Sequence, residues 1–393
     1  MDFDFAWVLL GLPFAFVLGW LASRFDVRQM RFENRQAPKA YFRGLNFLLN
    51  EQQDQAIDAF IEAVQNDPDT SELHFALGNL FRRRGEYERA VRVHEHLLSR
   101  GDLSTADRAR AQYALALDFL KAGLLDRAET ALQKLEGTAF ESQARMALLA
   151  NYERSRDWVQ AAKMAKQLEN TDQGSFSPRL AHYLCEQAAA KVSVGEREQA
   201  VELLRLAVNT APAAPRPRMD LSSLHEQMND HSAAYEALTQ ALTLAPAATP
   251  LFASQLAQTA IVSNRAHEAL TALKAAYAQH ASLDVLEAIV SLEAALPVAS
   301  GGLARSTSES ARDWYVHHLE REPSLVAAAK WIAGEKLEHE QFHPQVQRAL
   351  DHAVKPLTRY RCAACGFEAK QHFWQCPGCQ TWDSYPARRV EEL

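Results

Sequence analysis

The hydrophobic pattern changes character three times along the chain. It begins as an unbroken apolar run, Phe5 to Ala22, with no charged residue inside it. A helix over that run would be about 27 Å long, close to the hydrocarbon thickness of a bilayer. Trp7 and Trp20 stand near its ends, where indoles favour the membrane interface, and Pro13 is tolerated within a membrane helix. A cleaved leader would need a basic start and a small-residue cleavage site, whereas this chain begins with Asp2 and Asp4. Arg24, Arg28, Arg31 and Arg35 all follow the run. The excess of positive charge on that side predicts a single-pass anchor at 1–23, a basic juxtamembrane linker at 24–36, an outer N-terminus and a cytoplasmic remainder.

From about residue 37 the apolar positions take helical spacing and then repeat. Gly44 and Gly78 are 34 residues apart, as are Phe47 and Phe81, and Ala56 and Ala90. After a short insertion Ala116, Phe119 and Ala128 take the equivalent places, and the period returns at Ala200 and Ala234, Leu204 and Leu238, and Pro212 and Pro246. Small residues at two fixed positions let paired helices approach, larger ones fill the space between pairs, and Pro68, Pro212 and Pro246 close each second helix. Arg-Gly-Glu-Tyr at 84–87 and Val-Gly-Glu-Arg at 194–197 place glycine in the turns between helices. The pattern resembles the tetratricopeptide family. It implies an all-α solenoid over 37–355, with seven readable units to about residue 280 and a degenerate eighth around Ala311, Tyr315 and Pro323. Gly301 and Gly302 mark an irregular connection before that last unit.

Solenoids of this kind hold peptides or helices on a concave face and carry no catalytic chemistry there. By register Tyr41, Phe75 and Tyr113 occupy equivalent inward positions. Leu48, Asn79, Arg82, Arg83, Leu117 and Lys121 are expected beside them as a partner-binding groove. The competing reading makes the aromatics inter-repeat packing and the arginines a solvated face.

Composition narrows the class further. Hydrophobic residues make up 48% of the 393 residues and charged residues 23%, enough to build a substantial core. A net charge of −7 argues against general nucleic-acid binding.

Four of the five cysteines, Cys362, Cys365, Cys376 and Cys379, fall in two C-x-x-C pairs near the C-terminus. Two such knuckles can direct four thiolates at one tetrahedral ion, and the spacing leaves zinc and iron both open. Gly366 and Pro377-Gly378 suit the tight turns, and Tyr360, Phe367, Phe373, Trp374 and Trp382 are expected to form a miniature core. The segment 356–393 resembles a shortened rubredoxin or zinc ribbon, although Gln380 stands where rubredoxins carry glycine. A closed four-thiolate site has no open position for substrate, which favours a structural role.

His339-Glu340-Gln341-Phe342-His343 matches the H-E-x-x-H pattern of zinc peptidases. Pro344 follows at once and disfavours continuous helix at His343, and no third ligand is evident, so a zinc peptidase using His339, Glu340 and His343 stays a remote alternative. Cys185 is expected in a repeat core, and His94, His96, His317 and His318 in surface or packing roles. No phosphate-binding glycine loop is present.

Anchor, repeats and ribbon occur here in one order, together with the strings Gly44-Leu-Asn-Phe-Leu-Leu49, Leu77-Gly-Asn-Leu-Phe-Arg82, Ala122-Gly-Leu-Leu-Asp-Arg-Ala128 and Tyr360-Arg-Cys-Ala-Ala-Cys-Gly-Phe367. Over essentially its whole length the chain resembles the lipopolysaccharide assembly protein B family. That resemblance implies a non-enzymatic adaptor at the bacterial inner membrane, which helps the FtsH protease degrade the LpxC deacetylase and is itself relieved by a further inner-membrane regulator. It carries the four cysteines over as ligands of one metal ion and carries over no groove residue. A scaffold that gathers lipopolysaccharide enzymes or transport components without degradation is the alternative, and homo-oligomers are compatible with either.

Overall fold

The computed structural model describes residues 39–67, 70–169, 174–296, 307–335 and 340–393, together with Phe16, Val17 and Trp20. The expected anchor (apart from those three positions), the linker at 24–36, Pro68, Gly301, Gly302 and His339 lie outside the described residues. Among the described residues no helix is long and apolar enough to cross a membrane. The chain divides into two compact units, 1–164 and 165–393.

In the first unit the helices are α1 (39–49), α2 (Gln53–Asn66), α3 (Ser71–Arg84), α4 (Tyr87–Ser99), α5 (Thr105–Ala122), α6 (Leu125–Gln133) and α7 (Glu141–Ser155), with α8 (Trp158–Glu169) at the boundary. The second unit contains α9 (Ser177–Ser193), α10 (Arg197–Thr210), α11 (Pro215–Gln227), α12 (His231–Leu244), α13 (Thr249–Val262), α14 (Ala266–Gln279), α15 (Leu283–Ala295), α16 (Thr307–Arg321), α17 (Leu325–Ala333) and α18 (His343–Val354). A two-stranded ribbon follows, β1 (Tyr360–Arg361) antiparallel to β2 (Glu368–Ala369), with Tyr360 opposite Ala369 and Arg361 opposite Glu368.

The helices pair as the small-residue period requires. Ala56, Ala90, Ala128, Ala161, Ala200 and Ala234 are fully buried, and Ala269 is nearly so. Each sits where a longer side chain would force the two helices of a hairpin apart. All seven first helices end the same way. An amide two or three residues past the helix bonds back to a carbonyl in its last turn, as from Glu86 to Phe81, Glu196 to Lys191 and Arg265 to Ala260. The residue between takes left-handed backbone; Gly85 does so without strain at φ +86°, and Asn229 and Asn264 fill the same role.

Side chains then interlock within each unit. Phe60, Leu77, Leu80 and Phe81 form one cluster with Ala56 and Ala90 in the first unit. Phe252, Leu256, Leu273, Tyr277, Leu286, Ile289 and Leu292 form a larger one in the second. Burying one such side chain contributes about 1.5–3 kcal/mol, so these clusters carry most of the solenoid's stability. Pro212 and Pro246 fall just after α10 and α12, as the period predicts. The eighth pair is α15 with α16, and Pro323 follows it.

Candidate metal centre and partner surface

Two hydrogen-bonded knuckles of the same design shape the ribbon. In the first, Gly366 N–H donates to the Cys362 carbonyl at 2.9 Å, and Cys362 N–H to the Phe367 carbonyl at 2.9 Å. In the second, Gln380 N–H donates to the Cys376 carbonyl at 2.8 Å, and Cys376 N–H to the Thr381 carbonyl at 2.9 Å. Gly366 and Gln380 both adopt left-handed backbone, at φ +77° and +61°. The departure from glycine at 380 therefore leaves the geometry intact and adds local strain.

The knuckles bring four sulfurs together. The Cys362 and Cys379 Sγ atoms lie 3.8 Å apart, those of Cys365 and Cys376 3.6 Å apart, and all four fall within 4.8 Å of one another. A tetrahedral ion with metal–sulfur bonds near 2.3 Å needs sulfur separations of about 3.8 Å. Hydrogen bonding to the Ser384 hydroxyl, 3.3 Å from its sulfur, holds the Cys362 thiol down to about 6, and Thr381 lowers Cys379 in the same way. Cys365 is pushed the other way, up to about 12, so it is the spacing of the four sulfurs that fits one metal ion of the zinc or iron type. Among the described residues no other group of His, Cys, Asp and Glu is placed to hold a metal.

The miniature core differs from expectation in its membership. Tyr360 and Trp382 are buried, whereas Phe367 is 44% exposed, and Tyr385 takes the interior place. Tyr385 closes the first knuckle by donating its hydroxyl to the Phe367 carbonyl at 3.1 Å. Trp382 faces outward from the ribbon onto α9, stacking on His182 at 4.7 Å and meeting Tyr183 edge-on.

Docking continues along the second unit. His182, only 2% exposed, places Nε2 2.9 Å from Asp383 Oδ1, and the buried Arg216 donates to Glu186 at 2.6 Å. Arg389 makes a two-pronged ion pair with Asp284 at 3.0 and 2.8 Å. Glu392 accepts from the Leu283 amide at the start of α15. At the start of α17 Glu391 accepts from the amides of Leu325 and Val326 and from the Ser324 hydroxyl. Both tail carboxylates thus sit at helix N-termini, where unpaired amides and the helix dipole favour negative charge. The ribbon at 356–393 contacts α9, α15 and α17 and lies within the second compact unit. Pattern reading missed His182, Arg216, Asp284, Asp383, Arg389, Glu391 and Glu392, whose partners are mostly too remote in sequence for any local signal.

The expected groove residues of the first unit separate into three groups. Phe75 is buried, packed with Leu97 and Ala111 beneath the Arg110 guanidinium, so its inward register position is filled by the repeat core and is unavailable to a partner. Arg82 is committed to structure as well. It donates to Asp118 at 2.8 Å, to the Ala114 carbonyl at 3.1 Å and to Asn79 at 2.5 Å. Fully buried Asp118 also accepts from His94 Nδ1 at 2.5 Å, which joins α3, α4 and α5 through one carboxylate. Tyr41, Leu48, Tyr113 and Leu117 are half-buried, with Tyr113 stacked on Phe140 and Tyr41 edge-on to Phe60, while Arg83 and Lys121 are exposed.

His343 opens α18, with Pro344 at a tolerated first-turn position, and its Nε2 donates to the Ile332 carbonyl at 3.2 Å. The helix thus begins at His343, which the proline did not forbid, and a separate short turn, Glu340–Phe342, precedes it. Cys185 is buried in the core, and burial pushes its thiol well up, away from nucleophilic chemistry.

Hairpins on one side and a four-thiolate knuckle pair on the other define a tetratricopeptide scaffold with a rubredoxin-like metal module. Residues 360–385 match the family described as a rubredoxin metal binding domain, and 73–109 and 216–247 match tetratricopeptide repeat families. Along its length the chain resembles lipopolysaccharide assembly protein B. Its identity to that protein of Escherichia coli K12 is 28%, covering 98% of this chain and 99% of the relative. The Haemophilus influenzae protein of the same name is 26% identical, over 96% of each. A solved tetratricopeptide repeat protein from Parabacteroides merdae aligns with 66% of this chain and 99% of its own at 13% identity, with a TM-score of 0.34.

Proposed function

We propose that this chain is a non-enzymatic adaptor of lipopolysaccharide assembly, tethered to the bacterial inner membrane by residues 1–23 with the rest in the cytoplasm. It acts by presenting the LpxC deacetylase to the FtsH protease. The observation that carries this reading is the end-to-end likeness to lipopolysaccharide assembly protein B, beside the repeats and ribbon of this chain. The physics is consistent. Repeats supply a capture surface, and a tether beside a membrane protease raises the effective concentration of whatever is captured. The ribbon holds the first helices of the second unit in register, and no residue is assigned to bond-making chemistry.

The test is the half-life of the deacetylase by pulse-chase in cells with and without this chain. Depletion should lengthen the half-life and raise lipopolysaccharide. An unchanged half-life would refute the proteolytic role and leave a scaffold that gathers lipopolysaccharide enzymes.

A further inference from the structure

The first helix carries an outer face that repeat packing does not explain. Ala40 and Gly44 of α1 are buried, Gly44 directly against the Phe60 ring. On the opposite side Phe42 is 62% exposed and Leu49 81% exposed, with Leu45 on the same flank but half-buried against the repeat core. At 100° per residue these three form one apolar strip, and Asn46, Lys39 and Arg43 form a polar, cationic strip beside it. Register sets this helix apart from the two first helices that follow it. The positions equivalent to Phe42 and Leu49 are Ala76 and Arg83 on α3, and Ala114 and Lys121 on α5. The next two repeats thus place small or charged residues where the first places phenylalanine and leucine.

We propose that α1 lies on the membrane surface, with Phe42 and Leu49 entering the headgroup boundary and Lys39 and Arg43 facing anionic headgroups. The proposal rests on the anchor reading given above. Two observations choose lipid over protein as the occupant. Residues 23–38, fully extended, reach at most about 55 Å, so α1 cannot leave the neighbourhood of the bilayer. The charges preceding it, Arg24, Arg28, Arg31 and Arg35, have the same sign as Lys39 and Arg43. A second copy docked on this face would bring those like charges together, whereas an anionic surface complements them. Arg43 is also ion-paired with Glu62, leaving its half-exposed side chain only part of its charge for lipid. Two apolar side chains give weak binding alone, and the tether makes that binding continuous. The consequence is orientation: the first repeat lies flat on the membrane instead of swinging freely.

The test uses the full chain in nanodiscs of phosphatidylcholine, with or without a minority of phosphatidylglycerol. A fluorescent amino acid is placed at position 49 or at exposed Asp58 on α2, and the quencher is a spin-labelled lipid. Quenching at 49 should exceed that at 58 by at least about threefold and should weaken without phosphatidylglycerol. Phe42→Glu should lower quenching at 49 while circular dichroism stays unchanged. Equal quenching at both positions, in a chain that resists alkaline extraction, overturns this proposal and leaves the anchor standing. Extraction of the chain by alkaline carbonate overturns both. Energy transfer between labelled copies at position 49, without lipid quenching, assigns the face to a second copy and also overturns the proposal.

Discussion

Gly78 lies in the middle of α3, where alanine would ordinarily gain about 0.5–1 kcal/mol in helix propensity. Here the sign should reverse. A methyl group at that position would stand 2.5 Å from His94 Nε2 and 2.6 Å from Cε1, closer than such atoms approach. The imidazole has no room to yield, because it is fully buried and held by its other nitrogen to Asp118. Either the helices separate, at the usual overpacking cost of about 1–3 kcal/mol, or the ring turns and gives up its bond to a buried carboxylate, at about 1.5–3 kcal/mol. With the propensity gain subtracted, Gly78→Ala should destabilise the first unit by about 0.5–2.5 kcal/mol.

Because a two-unit chain need not unfold in one step, the assay should be local. Amide exchange over α3 and α4 should accelerate by about twofold to seventyfold, while the second unit stays unchanged. Gly44→Ala is the matched control. Its methyl would meet the edge of the Phe60 ring at 3.1 Å, a contact relieved by a small tilt, so the loss should stay below about 1 kcal/mol. His94→Ala in the Gly78→Ala background should recover part of the stability, giving a favourable coupling in a double-mutant cycle. A Gly78→Ala protein as stable as its parent would refute the argument.

Other perturbations test the ribbon and the buried imidazoles. Gln380→Gly should relieve left-handed strain and raise stability of the metal-loaded ribbon by about 0.5–1 kcal/mol, read as slower metal loss to a chelator. Glu391→Ala removes the cap on α17 and should cost about 1–2 kcal/mol, seen as faster exchange over 325–333; unchanged exchange there would discount the tail contact. Burial holds His74, His318 and His372 below the ordinary imidazole value of 6.5. The unfolded chain therefore binds protons more readily, so this stability is complete above about pH 6.5 and declines as pH falls toward the depressed folded values. Thermal midpoints should drop across that window, and His318→Asn should flatten the slope.

The legible parts of this chain are those whose constraints recur locally. Ala56, Ala90 and Ala200 announce helix contacts because each hairpin repeats the same close approach, and the four cysteines announce a metal because two short turns supply every ligand. Depth within the solenoid was not legible. Register places Phe75 with Tyr41 and Tyr113, yet only Phe75 is sealed under Arg110. Register fixes the face of a helix, while the neighbouring hairpin decides how much of that face is covered. Charge was not legible for the same reason: Arg82 reads as a groove cation or a solvated one until Asp118, a repeat away, is placed against it. In the ribbon, Phe367 and Tyr385 are equally aromatic in sequence, and only the knuckle path decides which one turns inward.

Long-range placement also changes what the metal does. The thiolate knuckles fix the turn that carries Trp382 and Asp383, and those two residues hold His182 on α9. The same ribbon leads into Arg389, Glu391 and Glu392, which hold α15 and α17. Metal binding in small thiolate modules supplies about 10–16 kcal/mol of folding free energy, more than the about 3–6 kcal/mol from burying Tyr360 and Tyr385, the two members of the ribbon core that are not ligands. Losing the ion would therefore release contacts at both ends of the second unit, even though the ion touches no repeat. By linkage, a partner that binds the repeats only when α9, α15 and α17 are aligned must also favour the metal-loaded state, and must itself tighten metal binding by the same factor. Titrating a chelator with and without such a partner measures that factor directly. Equal metal affinity in the two titrations would mean that the ribbon holds the helices without informing the partner surface.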